Sequence, residues 1–222
     1  MSLILNIDTS TEIASVSIAR EGEITCFLSN NIQKEHASFL HPAIKNVLQQ
    51  AVIKGEDLDA IAVTEGPGSY TGLRIGMAAA KGLSYALNKP FITIGTLNAM
   101  ASAAANLTNI SADYYCPMID ARRMEVYTAL FNNKLIEILP ACAVILTENL
   151  FMAELKNNKI VFLGSGIKKW KALISNSNCS FIEEVSITAS IAQLSHKKFR
   201  AKEFTELAHS QPLYVKEFFN GN

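Results

Sequence analysis

The chain has 222 residues, 49% of them hydrophobic and 18% charged, a composition typical of a globular protein with a sizeable core. Lys plus Arg and Asp plus Glu number 20 each, and this balance argues against a strongly basic nucleic-acid-binding protein. The four cysteines are widely spaced, which predicts reduced, buried thiols. The uncharged stretch at 90–112 is too rich in Asn, Thr and Ser for a membrane span, and the N-terminus lacks the basic region of a signal peptide. We expect a soluble cytoplasmic protein.

The first predicted elements occur twice along the chain. An apolar strand ends at Asp8 and is followed by a polar turn, an alternating strand through Val16, a tight turn and a third strand. The same pattern returns 112 residues later, where a strand ends at Asp120 and an alternating strand runs through Val126. This repeat predicts two α/β subdomains, each a βββαβα unit, over residues 1–108 and 109–222. We expect the connection between them near 106–112.

Helical and strand periodicities predict the remaining elements. In the first half we expect helices at 38–53 and 72–87, strands at 58–64 and 91–94, and a helix that Thr96 caps. In the second half we expect a helix at 148–155, a strand at 159–163, a turn at 164–166 with a helix after it, and a last helix at 188–204. Alternating helices and strands after three strands indicate a mixed sheet in each half.

A glycine-rich run at 65–76 joins the strand at 58–64 to the helix at 72–87. Such a loop can present backbone N–H groups to an anion at the start of a helix. The run matches neither the Walker pattern nor the dinucleotide pattern G-x-G-x-x-G, which fails at Thr71. The glycines therefore require an explanation other than a standard nucleotide fold.

The helix at 72–87 carries small residues at every fourth position and is apolar nearly all round, so more than one of its sides must be covered. One side covers its own sheet, and the other is covered either by an intramolecular neighbour or by another protein chain. For the second alternative we predict a partner or dimer interface that also includes the helix at 38–53. Its candidate residues are Phe39, Leu40, Leu73, Arg74, Gly76, Met77, Ala80 and Lys81.

Asp8 and Asp120 end equivalent strands, so a two-fold arrangement would point both carboxylates into one cleft. They could position a metal–nucleotide complex there, or each could simply cap its own hairpin turn. The turn at 121–123 is bulky and cationic, which argues against phosphoryl transfer within this chain. The candidate residues for a nucleotide or cleft site are Asp8, Thr9, Ser10, Gly66, Gly68, Ser69, Tyr70, Thr71, Asp120 and Arg122.

Two other sets of residues resemble sites only weakly. His36 and His41 are five residues apart, so on a helix their side chains would diverge by about 140°, and we predict no metal site. The basic and aromatic runs at 168–171 and 197–200 could contact nucleic acid, but solvated helix faces are the favoured interpretation. We predict no catalytic residue.

Taken together, these motifs resemble the TsaB (YeaZ) family of the sugar kinase/Hsp70/actin superfamily. The resemblance covers most of the chain, and the run Gly66-Pro-Gly-Ser-Tyr-Thr-Gly-Leu-Arg74 is its most specific part. The supporting segments are Ile7-Asp-Thr-Ser10, His36 with Phe39-Leu-His-Pro42, Ile119-Asp-Ala-Arg-Arg-Met-Glu-Val-Tyr127 and Pro212-Leu-Tyr-Val-Lys216, the last with Val-Lys where Leu-Arg is usual.

The resemblance implies two RNase H-like subdomains and a role in making N6-threonylcarbamoyladenosine (t6A) beside the anticodon of tRNAs that read codons beginning with A. It implies an accessory subunit that is not itself an enzyme. Its partners would be a TsaD-type transferase, which carries a His-x-x-x-His metal motif, and a TsaE-type ATPase. The resemblance also implies that the two helices of the N-terminal half can form a homodimer instead. It implies that the chain contacts tRNA only as part of the complex.

The resemblance implies no cofactor or metal of the chain's own, with ATP or ADP at the interface with the partner left open. Two rival functions are a glycoprotease-like peptidase and an active sugar kinase or ATPase of the same superfamily. The sequence offers no Ser/His/Asp or metal constellation for the first and lacks glycine-rich phosphate turns for the second.

Overall fold

The computed structural model describes residues 1–107 and 111–216. Its contacts divide the chain into two units, each built on a five-stranded mixed sheet. The first unit comprises residues 1–96 and 188–213, and the second comprises 97–187 and the chain from residue 214.

The strands and helices follow the predicted order, except that a strand at Cys179–Ile182 was not predicted. In the first half they are β1 (Leu3–Asp8), β2 (Ala14–Arg20), β3 (Glu23–Asn30), α1 (His36–Gln50), β4 (Ala60–Gly66), α2 (Tyr70–Leu87), β5 (Phe91–Gly95) and α3 (Thr96–Ala105). In the second half they are β6 (Tyr114–Asp120), β7 (Glu125–Asn132), β8 (Glu137–Ile145), α4 (Met152–Leu155), β9 (Ile160–Leu163), α5 (Ile167–Trp170), β10 (Cys179–Ile182) and α6 (Thr188–Ala201).

The two sheets have the same topology. The strand order is β3-β2-β1-β4-β5 in the first sheet and β8-β7-β6-β9-β10 in the second. In each sheet the strand that ends in aspartate pairs antiparallel with the next strand and parallel with the fourth. The predicted duplication and the equivalent hairpins after Asp8 and Asp120 are therefore confirmed.

Helices cover both faces of the first sheet. Leu5 and Ile7 pack with the buried residues of α1 and α2, which form one hydrophobic core. Successive residues of a strand face opposite sides, so Asn6 faces away from this core, and its side-chain oxygen accepts a hydrogen bond of 2.6 Å from Ser195 of α6. The helix α6 also contacts every strand of this sheet, and it therefore closes the second face.

A segment after α6, residues 205–213, follows the outer strand of the first sheet and is called the strap below. The Thr205 N–H donates to the Phe91 carbonyl oxygen at 2.8 Å, and the Leu213 N–H donates to the Glu65 carbonyl oxygen at 2.7 Å. The strap therefore satisfies one backbone carbonyl on β5, which an uncovered edge strand would leave open, and one near the end of β4.

The second unit has its own core, which is dominated by aromatic rings. Trp170 is fully buried and lies edge-on to Phe162, with ring centroids 4.5 Å apart. Phe151 and Phe181 also pack against this pair. Within the described part of the chain, no helix is long and apolar enough to cross a membrane.

The grouping of the chain differs from the predicted division at 108/109. The helix α6 and the strap belong to the first unit, although they follow the second in the chain, while α3 belongs almost entirely to the second. Met100 of α3 lies against Gly164 of that unit. Amphipathic periodicity indicates that a helix buries one face but not which sheet it covers. Residues 108–110 of the expected connection lie outside the described residues.

Candidate functional site

The glycine-rich run packs against the turn that follows β1. The side chain of Ser69 accepts a hydrogen bond from the Gly72 N–H at 3.3 Å and caps α2, while the Ser69 N–H donates to the Ser10 carbonyl oxygen at 2.7 Å. The Thr9 hydroxyl donates to the Gly72 carbonyl oxygen at 2.7 Å. The turn at 8–10 and the start of α2 are therefore joined by backbone and side-chain hydrogen bonds.

Several positions of this run must be glycine because the turn at 8–10 lies too close to leave room for a Cβ. A Cβ at Gly68 would lie 2.1 Å from the Ser10 carbonyl oxygen, and a Cβ at Gly72 would lie 2.1 Å from that of Thr9. A Cβ at Gly76 would lie 2.3 Å from the Thr9 hydroxyl oxygen. Gly66 has φ of +114°, a backbone conformation that side chains rarely adopt. These glycines are thus explained by contacts within the first unit.

Asp8 is the centre of this arrangement. One carboxylate oxygen, Oδ1, accepts hydrogen bonds from the Ser10 N–H at 2.9 Å, the Ser10 hydroxyl at 2.7 Å and the Thr64 hydroxyl at 2.8 Å. Burial raises the pKa of Asp8, and these hydrogen bonds and the nearby His36 oppose that rise. The side chain of Asp8 is only 3% exposed and holds the turn to the sheet.

Five of the predicted interface residues are buried inside the first unit. Their predicted position at the surface is wrong. They are Leu40, Leu73, Gly76, Met77 and Ala80, and all five are buried. The ridge of small residues on α2 faces the sheet, where small side chains let the helix approach the strand end. The ridge is therefore the side of α2 that covers its own sheet, and a partner interface on the other side of the helix stays a prediction.

The other predicted interface residues remain at the surface to different extents. Arg74 is exposed, and its guanidinium carbon lies 4.0 Å from the centroid of the Tyr70 ring. Phe39 is half-buried and packs against the core. The Lys81 ammonium donates to the carbonyl oxygens of Ala208 and Ser210, at 3.2 and 2.8 Å, and so fixes the strap to α2.

Exposed residues form one stripe along α2, which is called the outer face of α2 below. Its members recur at three- and four-residue intervals and are Tyr70, Arg74, Ala78, Gly82 and Tyr85. Tyr85 is 81% exposed, and a Cβ added at Gly82 would meet no atom within 4 Å. The sequence pattern missed Ala78, Gly82 and Tyr85, because it concentrated on the small ridge on the opposite side.

The turn after Asp120 in the second unit is exposed to solvent. Lys169 donates to Asp120 Oδ1 at 2.6 Å, and the Arg122 N–H donates to the same oxygen at 2.8 Å. Partial burial opposes the shift, but these two hydrogen bonds hold the pKa of Asp120 below its usual range. Asp120 therefore caps its own hairpin turn, the second of the two predicted roles. That Asp8 and Asp120 share a cleft stays a prediction.

The remaining candidate residues do not lie together at one site. His36 is buried, with Nε2 3.2 Å from the Glu12 carbonyl oxygen, while His41 is exposed, so the two imidazoles face different surroundings. Lys169, which was interpreted as part of a solvated helix face, instead binds Asp120. Thr71 is exposed on the first turn of α2.

Comparison with known proteins gives consistent relatives. A family model described as "TsaD: tRNA N6-adenosine threonylcarbamoyltransferase" matches residues 27–217. The "tRNA threonylcarbamoyladenosine biosynthesis protein TsaB" of Bacillus subtilis is 32% identical over 176 residues, which are 78% of this chain and 75% of the relative. The protein of the same name from Escherichia coli is 28% identical, over 96% of this chain and 94% of the relative.

The fold is also found in a solved structure. A crystal structure of a Pseudomonas aeruginosa protein, described as similar to peptidase YeaZ, superposes with a TM-score of 0.85 and 24% identity. The superposition covers 97% of this chain and all of that one. With a family model matched over residues 27–217 and a TsaB relative of 32% identity covered over three quarters of its length, the chain belongs to the TsaB (YeaZ) family.

Proposed function

We propose that this chain takes part in t6A biosynthesis as a non-catalytic partner of a TsaD-type transferase, together with a TsaE-type ATPase. The names of its relatives, which refer to tRNA threonylcarbamoyladenosine biosynthesis, support the pathway. The interlocked Asp8 turn and glycine-rich run are the observation that supports the non-catalytic role.

The groups that would carry chemistry are occupied by the fold. The Asp8 carboxylate is buried beneath Ser10 and Thr64, and the glycines that could have approached a phosphate are in contact with Thr9 and Ser10. A residue that positions a metal–nucleotide complex must reach it with its oxygens. Occupation of these groups therefore argues against the sugar kinase or ATPase alternative.

The peptidase alternative has one pair of residues to consider. The Ser2 hydroxyl and His196 Nδ1 are 2.7 Å apart, as a nucleophile and its base would be. However, Ser2 is only 1% exposed, so a peptide carbonyl cannot reach its oxygen. This pair therefore supports a structural contact between the β1 end and α6.

The outer face of α2 supports the binding part of the proposal. It offers an aromatic ring at each end, and the small residues Ala78 and Gly82 between them allow another helix to approach closely. The helix α1 packs beside α2 and carries exposed residues of its own. A partner helix bound there would bury Tyr85 without any change in the core.

The substitution Ala78→Arg tests this surface. We expect the variant to keep its thermal stability, since an exposed side chain is changed, and to weaken association with a TsaD-type protein by at least about tenfold, because added volume separates packed helices. The matched control is Ala201→Arg, which places the same side chain on the exposed end of α6. Calorimetric titration with the partner gives the affinities, and sedimentation velocity reports self-association.

Two results would refute parts of the proposal. Normal association of a folded Ala78→Arg variant would show that the interface lies elsewhere, and loss of self-association alone would favour the homodimer. For the catalytic question, ATP turnover is measured on the pure chain and t6A formation on the chain with the transferase. ATP turnover by the pure chain that Asp8→Asn abolishes would overturn the non-catalytic role.

A further inference from the structure

We infer that the turn after Asp120 is a contact site for the phosphate backbone of RNA, with the guanidinium groups of Arg122 and Arg123 as its binding groups. The inference rests on the proposed function only in taking tRNA as the RNA. It differs from the expectation that tRNA is met through the complex alone.

The first step is that positive charge gathers at this turn in a chain whose net charge is zero. The basic turn cluster consists of Arg122 and Arg123 on the turn, with Lys169 and Lys216 brought to it by ion pairs. Four cations face the two carboxylates of Asp120 and Glu125, which leaves a net charge of +2.

The second step concerns which cations the carboxylates neutralise. Asp120 is bound by the ammonium of Lys169 and Glu125 by that of Lys216, each at 2.6 Å. Both lysines come from other segments, and they occupy the acids that the arginines could have paired with. Within residues 1–107 and 111–216, no ion pair involves Arg122 or Arg123, and both are exposed. Two guanidinium groups are thus available to bind phosphate oxygens through paired hydrogen bonds.

The third step separates a polymer phosphate from a mononucleotide. A mononucleotide site wraps phosphate with backbone N–H groups. Here three N–H groups of the turn donate to acceptors within it. The Ala121 N–H donates to the Glu125 carbonyl oxygen, the Arg122 N–H to the Asp120 carboxylate, and the Glu125 N–H to the Arg122 carbonyl oxygen. The turn therefore presents side chains rather than an N–H cradle, and long cationic side chains on an exposed turn suit the phosphates along an RNA surface.

The backbone of the turn is held firmly in an unusual shape. Arg122, Arg123 and Met124 have φ of +68°, +45° and +58°, a left-handed run without glycine that costs about 1–2 kcal/mol per residue. The Leu146 N–H donates to the Met124 carbonyl oxygen at 2.7 Å and fixes the far end of the run. The two arginine backbones are therefore held in place before any ligand binds.

The test uses the chain in complex with its TsaD-type partner and measures binding of unmodified tRNA by fluorescence anisotropy over a salt series. We expect R122A/R123A to weaken tRNA binding about tenfold and to reduce the slope of log affinity against log salt by about 1.5, because two phosphate contacts are lost. R122K/R123K, which keeps both charges, should retain most of the slope. The control K134A/K156A removes two exposed charges from the same unit, away from the cluster, and should leave both quantities unchanged.

Four outcomes would overturn the inference. Unchanged tRNA affinity and slope in R122A/R123A would exclude the contact, as would an equal loss in K134A/K156A. Lost ATP binding with intact tRNA binding would assign the cluster to a nucleotide, and lost partner association alone would assign it to a protein. Failure of the wild-type chain to bind the partner would refute the proposed function instead, and tRNA binding by the chain alone would then decide the inference.

Discussion

The turn after Asp8 and the turn after Asp120 follow equivalent strands of a duplicated unit, yet their surroundings are opposite. Asp8 is buried and accepts hydrogen bonds from hydroxyl and N–H groups of its own unit, whereas Asp120 is partly exposed and binds Lys169. The pKa of Asp8 is raised by burial, and that of Asp120 is lowered by its hydrogen bonds although partial burial opposes them. One copy of the motif thus contributes to internal packing, while the other leaves its turn at the surface.

The largest expected difference between the two turns is in stability. We expect Asp8→Ala to lower the free energy of unfolding by about 2–4 kcal/mol, because buried donors of Ser10 and Thr64 lose their acceptor. Asp120→Ala should cost less than about 1 kcal/mol, since it removes a solvent-exposed ion pair. Urea unfolding of both variants measures this. Similar losses in the two would show that the turns are not different in kind.

The close packing of the first turn predicts a smaller but still clear effect. In Gly72→Ala the new Cβ would lie 2.1 Å from the Thr9 carbonyl oxygen, and we expect a loss of about 1–3 kcal/mol. Gly82→Ala on the same helix is the matched control, because its Cβ meets no atom and alanine favours a helix by about 0.5–1 kcal/mol. Thermal unfolding should therefore shift in opposite directions. A Gly72→Ala variant as stable as wild type would mean that the turn yields easily.

The smallest expected difference between the two turns is in how the stability contributed by each aspartate depends on pH. Asp8 has a raised pKa in the folded chain, so its contribution is fully present below the ordinary value of 3.8 and is lost as pH rises through the raised pKa. Asp120 has a lowered pKa, so its contribution is present above 3.8 and is lost as pH falls through the lowered pKa.

The variants Asp8→Asn and Asp120→Asn isolate these two contributions. As pH falls from neutrality toward 3.8, wild type should gain stability relative to Asp8→Asn. At still lower pH it should lose stability relative to Asp120→Asn. Urea unfolding over a pH series measures both differences. Stability differences with the same sign of slope for both residues would contradict the opposite environments.

Patterns within one element predicted the fold well. Period-two alternation located both hairpins, and the spacing of apolar residues located α1 and α2 within a few residues. Each of these features depends on neighbours in the chain, which a sequence displays directly. The aspartates at the ends of β1 and β6 were therefore assigned to equivalent places before any contact was known.

Features that depend on which surfaces meet were predicted less well. The small ridge on α2 indicated a close approach, but it could not distinguish Thr9 of the same unit from another protein chain. For the same reason Ala80 was assigned to an interface although it is fully buried. The exposed stripe from Tyr70 to Tyr85 has no apolar period of its own, so only its surroundings identify it.

The place of α6 and the strap in the chain has a consequence for synthesis. During translation the first sheet emerges early, but the elements that cover one of its faces and the edge of β5 are residues 188–213, which are made after β6–β10. At about 5–20 residues per second, the ribosome needs on the order of 10 s to make the intervening residues 97–187. For that interval the nascent first sheet has an open face and a bare edge, so its final folding step must wait until the strands of the second sheet have been made.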